Sequence, residues 1–154
     1  MTLYLQEEIL SFDHFEIWDE DGNVKYQVDR ELFQFGRKLV VTDTEGKEIC
    51  FVQHIPFSIP CAYELAVPGG SVQLDRHFSF FTQRYSIDSL GWEVAGSFMG
   101  LDFEITQGER VVARVEKAWP AFHDRYRLEI ADPRDELTAL CVILAIDVEA
   151  ERHN

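Results

Sequence analysis

Seven cationic side chains, Arg37, Lys38, Arg76, His77, Arg84, His123 and Arg125, fall beside short aromatic stretches of the chain. Arginine presents paired donors that match phosphate or carboxylate, so cations gathered at one end of a molecule would receive a small anion or a charged headgroup. Their other use is pairing with Asp29, Glu31, Asp75 and Asp124 beside them, which is common on surfaces and worth little. The histidines are His14, His54, His77, His123 and His153. None are spaced i, i+4 and none stand with cysteine at zinc spacing, so no metal and no cofactor are expected. Asp13-His14 and His123-Asp124 are the skeleton of general-base catalysis, but they lack a nucleophile, and Ser11 and Ser79 read as ordinary corner serines. Asp19-Glu20-Asp21-Gly22-Asn23 has calcium-loop composition. A calcium loop of the EF-hand type needs glycine sixth and glutamate twelfth; here Gly22 is fourth and Arg30 is twelfth, so an acidic hairpin turn is the better account.

The elements that must hold these groups are set by a repeat. A large apolar residue, a spacer and an aliphatic residue recur six times: Phe15-x-Ile17, Leu39-x-Val41, Tyr63-x-Leu65, Tyr85-x-Ile87, Phe103-x-Ile105 and Tyr126-x-Leu128. Gly22, Gly46, Gly70, Gly91 and Gly108 follow the first five within a few positions, at the sites of tight turns. Val24, Tyr26 and Val28 alternate with Lys25, Gln27 and Asp29, the period-two pattern of a strand with one face on a core. Between the glycine turns lie aromatic corners, such as Phe57-Ser58-Ile59-Pro60 and Trp119-Pro120-Ala121-Phe122. Six aromatic corners and five glycine turns imply twelve strands, numerous enough to close into a barrel that has no edges.

After the sixth motif the pattern breaks. Asp132 suits a helix N-cap, Pro133 the first helical position, and Asp135 and Glu136 the positive helix end. From Leu137 to Val148 the residues are apolar nearly all round, which demands burial on every side. This run falls short of the ~20 residues a bilayer needs, so the helix is assigned to the barrel axis. Asp147 is expected at the barrel mouth and Cys141 in packing.

Composition narrows the function further. The 154 residues carry a net charge of −14, with a pI near 4.6. That opposes nucleic acid and anionic bilayers, where phosphate neutralisation supplies most of the affinity. Three cysteines without metal spacing, and an N-terminal stretch without a basic region or long apolar run, are read as reduced thiols in a cytoplasmic protein. No linker divides residues 1–154, so one domain is expected.

Several segments together resemble the LURP-one-related family, which shares its fold with the tubby C-terminal domain and the phospholipid scramblases. They are Phe15-x-Ile17-x-Asp19-x-x-Gly22, Lys38-Leu39-x-Val41-x-Asp43-x-x-Gly46, Trp92-x-Val94-x-Gly96-x-Phe98, Arg110-x-Val112-Ala113 and the helix from Asp135 to Asp147. The resemblance covers roughly residues 2–150. It implies a mainly β fold, a closed twelve-stranded antiparallel barrel around a buried C-terminal helix, and no agreed activity.

The leading expectation is a non-enzymatic module that acts as a scaffold or binds a protein or small anion, without stable membrane insertion. Two alternatives compete with it. One is a lipid- or phosphoester-handling enzyme at the aromatic corners, built around His14, His77 and His123. The other is a membrane-tethered, scramblase-like protein.

Overall fold

The structure, a computed structural model, describes residues 1–6, 14–33, 36–79, 82–97, 102–117 and 125–152. Its first six strands are β1 (Thr2–Gln6), β2 (His14–Trp18), β3 (Val24–Phe33), β4 (Gly36–Thr42), β5 (Glu48–His54) and β6 (Ala62–Val67). Then come β7 (Gly70–Ser79), β8 (Thr82–Ile87), β9 (Trp92–Ser97), β10 (Asp102–Gln107), β11 (Arg110–Lys117), β12 (Arg125–Ile130) and the helix α1 (Glu136–Arg152). Each strand pairs antiparallel with the next, and β1 pairs with β12, Thr2 opposite Glu129 through Gln6 opposite Arg125, to close the barrel. The expected strand count and closure are both present.

The repeat is the inner wall of the even-numbered strands. All twelve side chains of the six motifs are at most 6% exposed. They meet α1, whose residues from Ala139 to Ile146 are essentially inaccessible. Because successive strand residues point to opposite faces, one phase of each strand is fixed by contact with the helix. Cys141 of α1 meets Cys50 of β5, and that contact together with complete burial pushes the Cys141 thiol up, so it stays protonated as packing.

A meander of antiparallel strands puts alternate connections at opposite ends, so the glycine turns share one end and the β5–β6 corner lies at the other, which we call the corner end; the other aromatic corners fall wholly or partly outside the described residues. At the glycine end one turn is built twice. The Asp19 carboxylate accepts the N–H groups of Asp21 and Asn23, and the Asp43 carboxylate those of Glu45 and Lys47, all at 2.9 Å. Gly22 and Gly46 close these turns with φ of 80° and 83°. The acids of this end organise backbone, which accounts for the Asp-x-x-Gly spacing without a cation.

The helix is tied in at both ends. Asp132 accepts the Arg134 N–H at 2.9 Å and also holds the Arg134 guanidinium; Pro133–Asp135 form a 3-10 turn that leads into α1. Glu136, nearly buried, accepts from the Tyr26 hydroxyl and from Lys25 Nζ. Arg134 pulls the Asp132 carboxyl down from 3.8 to about 2, through the side-chain bond first and the backbone bond second. A depressed carboxyl stabilises the fold above its unfolded value and loses that contribution as pH falls through the folded one. Asp132→Asn should therefore lose less stability than the parent between about pH 4 and pH 2, measured by urea melts at each pH. An equal loss in both chains would show that the cap does not titrate in this window.

Candidate functional site at the corner end

The corner end carries two features that the chain positions with unusual care. The first lies inside the barrel mouth. On β7, Leu74 faces the helix, so period two turns Arg76 inward as well and His77 outward. Arg76 stands directly opposite Tyr85 on β8. On α1, Glu149 follows Val142 by seven residues and Ile146 by three, on a helix that is enclosed all round, and is only 3% exposed. Its carboxylate takes Arg76 Nη1 at 3.3 Å on Oε1. On Oε2 it accepts the Tyr63 hydroxyl and the Cys61 thiol, the latter at 3.4 Å. Burial first, and the Glu149 charge second, push the Tyr85 hydroxyl well above its usual range, while Arg76 opposes the shift. The His54 ring meets Tyr63 edge-on at 5.3 Å between centroids.

The second feature is the β5–β6 corner, residues 55–61. Ser58 Oγ donates to the Ile55 carbonyl at 2.7 Å and accepts the Ala62 N–H at 2.9 Å, while Ile55 N–H reaches the Ala62 carbonyl at 2.9 Å. The loop is thus braced from within. Its two apolar side chains are turned out: Phe57 is 93% exposed and Ile59 97%. Phe57 also has φ of 59°, in the left-handed region that a bulky side chain rarely occupies. Phe78, 68% exposed, carries the Arg76 guanidinium 5.7 Å from its ring centroid, which links the rim to the internal cluster.

Of the seven cations proposed from the sequence, the five with described side chains, Lys38, Arg76, His77, Arg84 and Arg125, do not converge. Arg76 alone among the described ones lies within the mouth, and Glu149 engages it. Lys38 sits over the Phe51 ring at 4.2 Å and Arg125 over Trp18 at 4.6 Å, both on the outer face. Arg84 pairs with Glu93 at 3.1 Å. His77 Nε2 is 2.7 Å from Ser86 Oγ, which itself donates to Asp88 at 2.9 Å. The serine proton is committed to the aspartate, so His77 donates to the hydroxyl and does not activate it. Arg37 is placed by its backbone on β4, opposite Leu32. His123, Asp13, Asp124 and Ser11 lie outside the described residues. His14 bonds Asp29 at 2.7 Å and is five strands from His77 round the barrel, both on the outer face. Asp147 is half-buried. Glu149, Tyr63 and Cys61 were not singled out as a site from sequence, although the inward phase of Arg76 and the helical spacing of Glu149 were available signals.

A closed twelve-stranded barrel filled by its own C-terminal helix defines a class of protein, and comparison with known proteins gives the family. The chain belongs to the LURP-one-related family, whose model matches residues 1–147. It is 29% identical over 150 residues to the uncharacterized protein YxjI of Bacillus subtilis, spanning 96% of this chain and 93% of that one. It is 22% identical over 144 residues to Protein LURP-one-related 14 of Arabidopsis thaliana, spanning 79% and 70%. An X-ray structure of a protein from Arabidopsis thaliana shares the fold, with a TM-score of 0.65, 15% identity, and coverage of 96% of this chain and 90% of that one. Among the described residues, no helix is long and apolar enough to cross a membrane.

Proposed function

We propose that this chain is a non-enzymatic protein-interaction module of the cytoplasm, working through the corner end, with Phe57 and Ile59 as its anchor. The observation that carries this reading is the pair of apolar side chains held almost fully in water on an internally braced loop. Exposed apolar clusters rimmed by polar groups mark association sites, and an unfavourable backbone conformation persists where function retains it. The charge of −14 favours an apolar protein groove over an anionic bilayer as the receiving surface. Cys50, Cys61 and Cys141, all outside any disulfide, are in keeping with a reducing compartment. A helix filling the axis weighs against the deep pocket by which enzymes are first sought. The catalytic alternative gains nothing from His14 and His77, which stand far apart and each engage a neighbour.

Glycine adopts a positive φ freely, whereas an L side chain is penalised there. Phe57→Gly should therefore be about 0.5–1 kcal/mol more stable than the parent in urea melts while losing the interaction, because the relieved strain exceeds the backbone-entropy cost of glycine. A photo-crosslinking amino acid at position 57 should give a discrete protein adduct in the producing cell, one that Ile59→Ser abolishes. The same group at position 45, in the acidic turn, should not. Equal adduct patterns at both ends would overturn the reading.

A further inference from the structure

We propose that the inner wall at the corner end is a carboxylate receptor, formed by Arg76, Tyr63, Tyr85 and Cys61, which the chain fills with its own Glu149. The contribution of the helix to this cluster is one carboxylate; every donor belongs to the wall. Tyr63 on β6, Arg76 on β7 and Tyr85 on β8 sit on three consecutive strands, with Arg76 and Tyr85 directly paired. The Arg76 N–H bonds the Cys61 carbonyl at 2.9 Å, which fixes the thiol-bearing residue beside the guanidinium. None of these main-chain bonds involves α1, so the donor geometry is set by the sheet ladder.

The donor set has the chemistry of carboxylate recognition. A guanidinium meets one oxygen, and a phenol and a thiol meet the other. It also has capacity in hand, because Arg76 Nε is buried and makes no hydrogen bond among the described residues. A planar carboxylate presented from elsewhere, as an acidic side chain or a free C-terminus of a partner, would meet the same donors once the last turn of α1 withdraws. Glu149 is then a resident competitor, and the end of α1 regulates access to the site. This site is separate from the Phe57–Ile59 tip, and either can fail without the other.

The test uses the full chain with Glu149→Ala and sodium acetate as the probe. Acetate should raise the Tm of this variant over sodium chloride at equal ionic strength, by about 3–5 °C per tenfold concentration once past half-saturation. The parent, whose receptor is occupied, should show no such difference. The double variant Arg76→Met, Glu149→Ala should lose it. Absence of an acetate-specific shift in Glu149→Ala, or an equal shift in the double variant, overturns the proposal. Where Glu149→Ala does not hold its fold, the same comparison is read on refolding from urea. Acetate but not chloride must then restore the near-ultraviolet circular dichroism of the barrel; restoration by neither overturns the proposal, as does equal restoration by both.

Discussion

Gly96→Ala should cost about 2–5 kcal/mol, a large part of the stability of a domain of this size. Two independent penalties meet at this position. Gly96 has φ of 143°, which an L residue tolerates poorly. A Cβ built there would stand 2.5 Å from the Asp102 carbonyl oxygen and 2.6 Å from Phe103 Cα, in the facing strand β10. Those atoms are backbone, so relief requires moving the strand that carries Phe103 into the core. Strain from the backbone angle costs roughly 1–2 kcal/mol and overpacking roughly 1–3 kcal/mol. Gly46 is the control, since its φ of 83° carries the first penalty but no atom lies within 4 Å of a Cβ there. Gly46→Ala should cost only about 1–2 kcal/mol in urea melts of the two variants. Equal losses at both positions would show that close approach of β9 and β10 contributes nothing.

Arg76→Met should cost about 3–5 kcal/mol, because it strands a buried carboxylate. Methionine keeps the stem that passes Phe78 and removes the charge that faces Glu149. Tyr63 and Cys61 remain as donors, but a 3% exposed carboxylate cannot reach water without shifting the helix end. Removing the carboxylate as well should reverse most of the loss. The double variant Arg76→Met, Glu149→Leu should unfold within about 2 kcal/mol of the parent, since what remains is a phenol and a thiol without their acceptor. A double-mutant cycle built on urea midpoints measures this coupling. Strict additivity would mean that the 3.3 Å contact carries no energy.

Period two and the spacing of turn residues made the barrel legible, because each even strand repeats the same inward pair and each connection declares its end. The same rule held the clue to the internal cluster. Arg76 is in phase with Leu74, which has to face the core, so its guanidinium is carried inward with it. Grouping cations by nearness to a corner ignored that neighbours along a strand face opposite ways. Arg76 and His77 are adjacent in sequence yet lie on the two sides of the wall. Lys38 and Arg125 lie over aromatic rings on the outer face. Glu149 was hidden because it follows an apolar run, at the point where a helix of this kind would ordinarily emerge into water. Nothing in the composition of Phe57-Ser58-Ile59-Pro60 says that Phe57 takes a positive φ or that both apolar side chains face out. The Ser58 hydroxyl, bonded to Ile55 and Ala62, braces the loop in that form.

The pairing of β1 with β12 sets the order of events during synthesis. Thr2 waits for Glu129, and the amino group of Met1 for the Ile130 carbonyl, across nearly the whole chain. Until those residues leave the ribosome, the growing sheet has two open edges and an apolar face with nothing against it. The element that covers this face is α1, which follows every strand. The helix must therefore dock before or as the last seam shuts, since afterwards its apolar surface would have to pass through a closed wall. Local hairpins can form as they emerge, but completion waits until α1 has left the ribosome, and the early strands depend on protection from aggregation until then.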